Sequence, residues 1–159
     1  MFIKFNKTLA NIALISALTL GITGCLKKAE PAAIMGVEQV ALEGYDPVAY
    51  FVSGSAHKAD GSYSYSYEGL NWYFESNDNL DTFKANPAKF IPVFGGFCAY
   101  ELADEELVYS KPEFWHIHNG QVFLFSSEDA KEEWFRDIDT MILNAQTQWD
   151  ILKNPSEDD

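Results

Sequence analysis

The chain has 159 residues, 47% of them apolar and 15% aromatic, which is enough for one domain with a real core and no stabilising disulfides. Its 24 acidic residues outnumber its 11 lysines and arginines. A surface this acidic repels phosphate backbones, so the composition argues against nucleic acid as a partner.

The first 24 residues are typical of a secretory signal rather than of a folded segment. Lys4 and Lys7 precede an apolar run from about Leu9 to Leu20, which is too short and too interrupted for a membrane span. The run ends in "ITGC", residues 22–25, which resembles the lipobox of bacterial lipoproteins. That resemblance implies cleavage before Cys25, a diacylglycerol thioether on its sulfur and an acyl chain such as palmitate on its amine. The alternative is an ordinary cleaved signal that contains a cysteine.

Lipidation would make the chain a membrane-anchored protein of the bacterial cell envelope. Several acyl chains anchor a protein far more firmly than one. Removing residues 1–24 removes two lysines and no acid, so the net charge of the mature chain is 9 − 24 = −15. An anionic membrane surface should therefore repel the domain. Residues 25–36 read as a lipidated tether. Leu26, by resemblance to the sorting rule of Gram-negative enteric bacteria, favours the outer membrane, facing the periplasm.

The two cysteines cannot pair if Cys25 carries a lipid. Cys98 then has no partner within the chain, although the compartment would permit a disulfide. A tetracysteine zinc site is excluded as well.

The middle of the chain predicts a hairpin followed by a short helix. Tyr63, Tyr65 and Tyr67 alternate with serines as in a strand, Glu68-Gly69 makes a turn, and residues 70–74 return as a second strand. Ser76 is the expected N-cap of a helix over 77–85 that buries Leu80 and Phe83 and stops at Asn86-Pro87.

A second hairpin is predicted by Asn119-Gly120 between alternating apolar residues, the signature of a type I′ turn. The two-residue loop fixes the register, so His118 faces Gln121 and His116 faces Phe123. One face is wholly apolar and must be core: Trp115, Ile117, Val122 and Leu124. The other face is mixed and carries both histidines: Phe114, His116, His118, Gln121, Phe123 and Phe125.

The last third of the chain changes to a helical period. Apolar residues recur every three or four positions from Ala130 to Trp149, which predicts one helix or two consecutive helices, with Ser126 and Asp129 as a capping-box-like start. Strands followed by helices indicate an α+β domain over 37–152: a small antiparallel sheet with hairpins, one short helix after the second strand and a C-terminal helical segment. Residues 153–159 form an acidic tail.

Several stretches together resemble the YHS-domain family, in its branch of secreted bacterial proteins. The match covers most of the mature chain in order and spacing, and its carriers are "GYDPVAYF" (44–51), "WYFESNDNLDTFKANPAKF" (72–90), "FGGFCAY" (94–100) and "WHIHNGQVFLF" (115–125). Metal-binding relatives carry three thiols that fall here on Ala49, Glu75 and Asn79. A soft-metal site needs soft ligands, so copper, silver or zinc binding does not carry over directly.

The secreted branch instead has the cysteine of "GGFCAY", which leaves three interpretations of Cys98. It is a buried inert thiol, a metal ligand or a reactive nucleophile; the local sequence supplies no cation to activate a thiolate. His116 and His118 project from the same strand face and could bind one ion, or else one packs and the other is solvated. Cys98, His116 and His118 are therefore the candidate metal site, for copper or zinc.

The remaining signals indicate ordinary structure. His57 lies in a polar loop and is expected to be solvated, and the acidic stretch Glu101–Leu107 lacks the spacing of a calcium loop. The aromatic residues of the first hairpin could line a ligand groove, with core packing as the alternative. No catalytic constellation is recognisable. The sequence thus predicts a non-enzymatic binding module, with a transition metal as the candidate ligand. The alternative is a metal-free lipoprotein that docks an envelope protein or small ligand through aromatic residues. The third alternative is a thiol-dependent enzyme or redox protein.

Overall fold

The computed structural model describes residues 36–37 and 39–154, and within them the chain has an α+β fold. The predicted signal, most of the predicted tether and most of the predicted acidic tail lie outside these residues. The strands are β1 (Gly36–Val37), β2 (Val40–Ala41), β3 (Tyr63–Tyr67), β4 (Leu70–Phe74), β5 (Lys111–His118) and β6 (Gln121–Phe125). The α-helices are α1 (Ala49–Val52), α2 (Asn77–Ala85), α3 (Pro87–Phe90), α4 (Ala99–Ala103), α5 (Glu128–Trp134) and α6 (Ile138–Lys153).

The first sheet has the strand order β1-β2-β4-β3. The predicted hairpin is confirmed, with Tyr65 opposite Trp72 and Tyr67 opposite Leu70. The sheet is not purely antiparallel as expected, because β2 runs parallel to β4 and pairs Val40 with Asn71. A short parallel pairing of this kind has no local sequence signal, since its partners are far apart in the chain.

Helix α2 has the predicted bounds. The Ser76 side chain accepts a hydrogen bond from Asn79 N at 3.1 Å, which satisfies one free N–H group of the first turn. Leu80 and Phe83 are buried. The helix ends before Pro87, which opens the separate turn α3.

The second hairpin, β5–β6, has the predicted register, with His118 opposite Gln121 and His116 opposite Phe123. Asn119 and Gly120 have φ of 50° and 75°, the left-handed values that a type I′ turn requires. Both faces of this hairpin are packed. The face called mixed from the sequence holds Phe123 and Phe125, which are 1% and 0% exposed.

The helical C-terminal segment consists of α5 and α6. The expected cap at Ser126 is wrong by one residue: Ser127 accepts from Ala130 N at 3.1 Å, whereas Ser126 Oγ donates to Glu101. Both serines offer the same hydroxyl, and spacing alone does not separate neighbours. The predicted apolar stripe packs inward, with Ala130, Trp134, Ala145 and Trp149 buried.

Two apolar clusters lie on opposite sides of the β5–β6 hairpin. The first joins the large sheet, α2 and α3 to Trp115, Ile117, Val122 and Leu124. The second joins the 94–100 segment, α5 and α6 to Phe114, Phe123 and Phe125, and it includes Cys98. In the described part of the chain, no helix is both long and apolar enough to cross a membrane.

Candidate functional site

Cys98 lies in the middle of the second cluster. Phe94, Gly95 and Gly96 before it all have left-handed φ, of 60°, 63° and 87°, which gives the tight turn that the glycines predict. Cys98 N donates to Val108 O at 2.9 Å. The residue is 0% exposed, and its cluster is formed by aliphatic and aromatic side chains. This position favours the buried, inert interpretation of the thiol.

We expect Cys98 to react with a thiol reagent only when the protein unfolds. In the soluble chain beginning at Leu26 it is the only thiol, and labelling should be at least about 1,000-fold slower than in denaturant, because a stable fold opens rarely. The rate is measured against denaturant concentration with a chromogenic disulfide reagent. The matched control moves the thiol to the exposed face of α2, with Thr82→Cys in a Cys98→Ala background. Native labelling of Cys98 as fast as in this control would favour the nucleophile instead.

The two hairpin histidines share a face, as predicted, and their ring centroids are 6.4 Å apart. His116 also packs edge-on against Phe135 at 4.7 Å. Among residues 36–37 and 39–154, no three His, Cys, Asp or Glu side chains form a group that could hold a metal ion. The structure therefore does not bring Cys98, His116 and His118 together as a ligand set.

Burial is the main reason that the pKa of His116 is lowered, and the charges of His118 and Lys131 lower it further. The folded state thus binds a proton at His116 less readily than the unfolded chain, whose histidine pKa is about 6.5. The resulting stability is fully present above about pH 6.5 and is lost as the pH falls below that value and through the lower pKa of the folded state.

We expect the urea concentration at the unfolding midpoint to decrease as the pH is lowered from about 7.5 to about 5.5. The decrease should be steeper in the wild type than in His116→Gln. Equilibrium unfolding at several pH values, followed by circular dichroism, measures both slopes. His57→Gln, which removes a half-exposed imidazole from the 57–63 loop rather than from β5, is the control. Equal slopes for wild type and His116→Gln would contradict the proposed origin of the effect.

Asp46 is a fully buried carboxylate that sequence reasoning did not single out. Its Oδ1 accepts from Val48 N at 2.8 Å and Ala49 N at 3.3 Å at the start of α1. Its Oδ2 accepts from Glu75 N at 2.8 Å and from the Asn79 side-chain amide at 2.7 Å. The carboxylate therefore ties α1, the end of β4 and the first turn of α2 together. It lies within "GYDPVAYF", one of the motifs that carry the resemblance.

A cleft of about 420 Å³ opens beside this carboxylate. It lies between the 57–63 loop and the end of β4, and Glu75 connects it to Asp46. His57 Nδ1 and Glu75 Oε2 face each other across 4.0 Å, and their side chains are about half exposed. His57, expected to be merely solvated, thus has a carboxylate beside it. The pairing depends on a contact between distant segments, which the loop sequence does not encode.

Comparison with protein-family models, with curated proteins and with solved structures finds no match for this chain.

Tyr45 connects the same region to β5. Its hydroxyl donates a hydrogen bond to Glu113. That bond, followed by burial and the Glu113 charge, raises the pKa of Tyr45 to about 12, and the same bond lowers the pKa of Glu113. Lys58 of the cleft lies 5.4 Å from the centre of the Tyr45 ring. The cleft wall is therefore held by side chains of several elements.

The aromatic residues of the first hairpin divide between the two expected uses. Trp72 and Phe74 are buried and pack on Phe83, which is the core alternative. Tyr63 is 41% exposed and lines the cleft. In the acidic stretch, Glu101 accepts a hydrogen bond from Ser126, and Asp104, Glu105 and Glu106 are exposed.

Proposed function

We propose that this chain is a lipid-anchored protein of the bacterial cell envelope and a non-enzymatic binding module of the YHS-domain type. The order of a basic start, an apolar run and "ITGC" supports the anchor at Cys25. In a Gram-negative cell the protein would be held on the outer membrane and face the periplasm. Its binding site is the cleft beside Asp46.

The contacts around Asp46 are the observation that carries this proposal. The family resemblance aligns three metal-binding thiols of relatives with Ala49, Glu75 and Asn79, which are far apart in the sequence. All three positions donate a hydrogen bond to the same carboxylate: two through the backbone and Asn79 through its side chain. Positions that must converge on one ion in those relatives therefore converge here, which supports both the resemblance and the location.

A soft metal ion does not fit these residues. The Ala49 side chain has no atom that can coordinate a metal, and Asn79 offers an amide in place of a thiol. Cys98, the one thiol among the described residues, is buried elsewhere. His57 and Glu75 instead offer one imidazole and one carboxylate 4.0 Å apart, two ligand types that Zn²⁺ and Cu²⁺ accept, with water in the remaining coordination positions. A divalent transition metal is therefore the proposed ligand.

Titration calorimetry with Zn²⁺ and Cu²⁺ on the soluble chain beginning at Leu26 tests this ligand. The parent and Cys98→Ser should bind one ion alike, whereas His57→Ala with Glu75→Gln should weaken binding about tenfold or more. His116→Gln with His118→Gln is the matched control and should bind as the parent does. Loss of binding in this control would show that the metal binds at His116 and His118 of the β5–β6 hairpin and not at the cleft. Non-saturable binding by every variant would show that the protein has no specific metal site.

A metal-free interaction lipoprotein is the second candidate, favoured by Tyr109. This side chain is 63% exposed, and its ring stacks on Phe97 at 5.1 Å, so it is presented rigidly to solvent. Exposed, preordered aromatic rings are frequent anchors of protein interfaces. Affinity purification from membranes should then recover a partner with the parent and with Tyr63→Ala but not with Tyr109→Ala. Equal recovery with both variants would oppose docking at this ring.

The anchor has its own test in bacterial cells. The full-length chain should incorporate labelled palmitate and fractionate with membranes, and Cys25→Ala should lose both properties. Cys98→Ala, which removes the other cysteine, should keep them. Palmitate incorporation that persists in Cys25→Ala would contradict the lipobox assignment.

A further inference from the structure

A shallow apolar groove of about 300 Å³ lies at the junction of the two clusters. Ile91, Pro92, Val93, Phe94 and Trp149 supply its apolar surface, with Glu68 and Lys153 among the residues around them. Phe94 and Trp149 are buried, whereas Ile91 and Val93 are only partly buried. This surface would gain stability from an apolar cover.

The described chain begins close to this groove. A Cβ at Gly36 would meet the Leu70 side chain at 2.7 Å. Leu70 pairs with Tyr67 across the Glu68-Gly69 turn, and Glu68 lines the groove. Two strand residues span about 7 Å, so the residues immediately before Gly36 can reach the groove without a long connection.

The predicted tether has apolar side chains directly before the first described strand, which is where an apolar cover for the groove would have to lie. Between Lys27 and Gly36 its only large apolar residues are Ile34 and Met35, which directly precede the first described strand. The C-terminal residues 155–159 also begin near the groove, but they carry three carboxylates, which an apolar floor disfavours. We propose that Ile34 and Met35 occupy this groove, so that the tether is docked onto the domain at its own base.

Docking would shorten the tether, a consequence that rests on the proposed lipid anchor. With ten residues free between Cys25 and Gly36, the domain could stand about 35 Å from the lipid. With Ile34 and Met35 docked, eight residues remain and the limit falls to about 28 Å. The groove would then be the part of the domain from which the free tether runs to the anchor.

Paramagnetic relaxation in the soluble chain beginning at Leu26 tests the docking. A nitroxide attached through Ala33→Cys, in a Cys98→Ala background, should broaden the amide signals of Val93 and Gln121 and spare those of Val52 and Asp104. Adding Ile34→Asp with Met35→Asp should remove the selective broadening, and so should Val93→Asp on the groove side. Val52→Asp, at an exposed apolar residue elsewhere, is the matched control and should preserve it.

Equal broadening over the whole surface, or broadening unchanged by Ile34→Asp with Met35→Asp, would overturn the proposal. So would broadening that appears only between spin-labelled and isotope-labelled molecules in a mixture, because a second copy would then cover the groove. The experiment contains no lipid. A failure of the anchor at Cys25 would therefore leave its result unaffected.

Discussion

Replacing Asp46 by Ala is expected to lower the free energy of unfolding by about 3–5 kcal/mol. The change leaves four N–H donors without their acceptor, two of them in buried hydrogen bonds at the start of α1 and two in partly buried ones from Glu75 and Asn79. Each such group costs about 1–3 kcal/mol when it loses its partner. Asp46→Asn should cost about 2–4 kcal/mol, because an amide NH₂ would face two donors in place of one oxygen.

Urea unfolding followed by circular dichroism measures these losses, with Asp60→Asn as the matched control. Asp60 also accepts a backbone hydrogen bond, from Ser62 N, but it is exposed, so its replacement should change stability by no more than about 0.5 kcal/mol. Since Asp46→Ala could fail to fold, Asn79→Ala gives a milder version that removes one donor and should cost about 1–2 kcal/mol. Losses at Asp46 no greater than at Asp60 would show that the buried network is dispensable.

Phe83→Ala is expected to cost about 3–5 kcal/mol. Phe83 is 0% exposed and lies at the centre of the first cluster. Five aromatic rings lie within 6.5 Å of it, measured between ring centres: Tyr65, Tyr67, Trp72, Phe74 and Phe90. Truncation leaves a cavity that these stiff rings cannot fill, so both the transfer free energy and the ring contacts are lost.

The comparison series for Phe83 separates packing from side-chain identity. Phe83→Leu keeps most of the volume and should cost no more than about 1.5 kcal/mol. Phe135→Ala removes the same side chain from a site that is 41% exposed and should cost clearly less than Phe83→Ala. Thermal or urea unfolding of the three variants ranks their losses in the free energy of unfolding. Similar losses for Phe83→Ala and Phe135→Ala would contradict a central role for Phe83 in the first cluster.

The elements that were predicted correctly are those with local physical causes. Asn119-Gly120 fixes the register of β5–β6 because both residues adopt left-handed φ, and Ser76 begins α2 because its hydroxyl caps the first turn. The apolar period from Ala130 to Trp149 located the C-terminal helices for the same reason. The parallel pairing of Val40 with Asn71 was missed because it depends on chain closure over distance.

The candidate site was harder to predict because its contacts are not local. Each residue of the Cys98, His116 and His118 set had suitable chemistry, but donor type and strand face do not determine whether a thiol and two imidazoles meet. The cysteine is covered by helices from later in the chain. Asp46 and the His57–Glu75 pair were missed because their local sequences are ordinary: an acid before a proline, and a histidine in a polar loop. Their role becomes visible only when the fold brings the end of β4 and the first turn of α2 beside them.

The β5–β6 hairpin is a partition whose two sides line different clusters. In most hairpins, a slip of one residue would exchange buried side chains for solvated ones. Here the same slip would turn every side chain of the slipped strand to the opposite face. Side chains that pack in the first cluster would then enter the second, and the reverse. Misregistered pairing is thereby penalised twice. We expect the two halves of the domain to unfold together, because both apolar clusters depend on the same β5–β6 hairpin and each loses its packing surface when the hairpin unfolds.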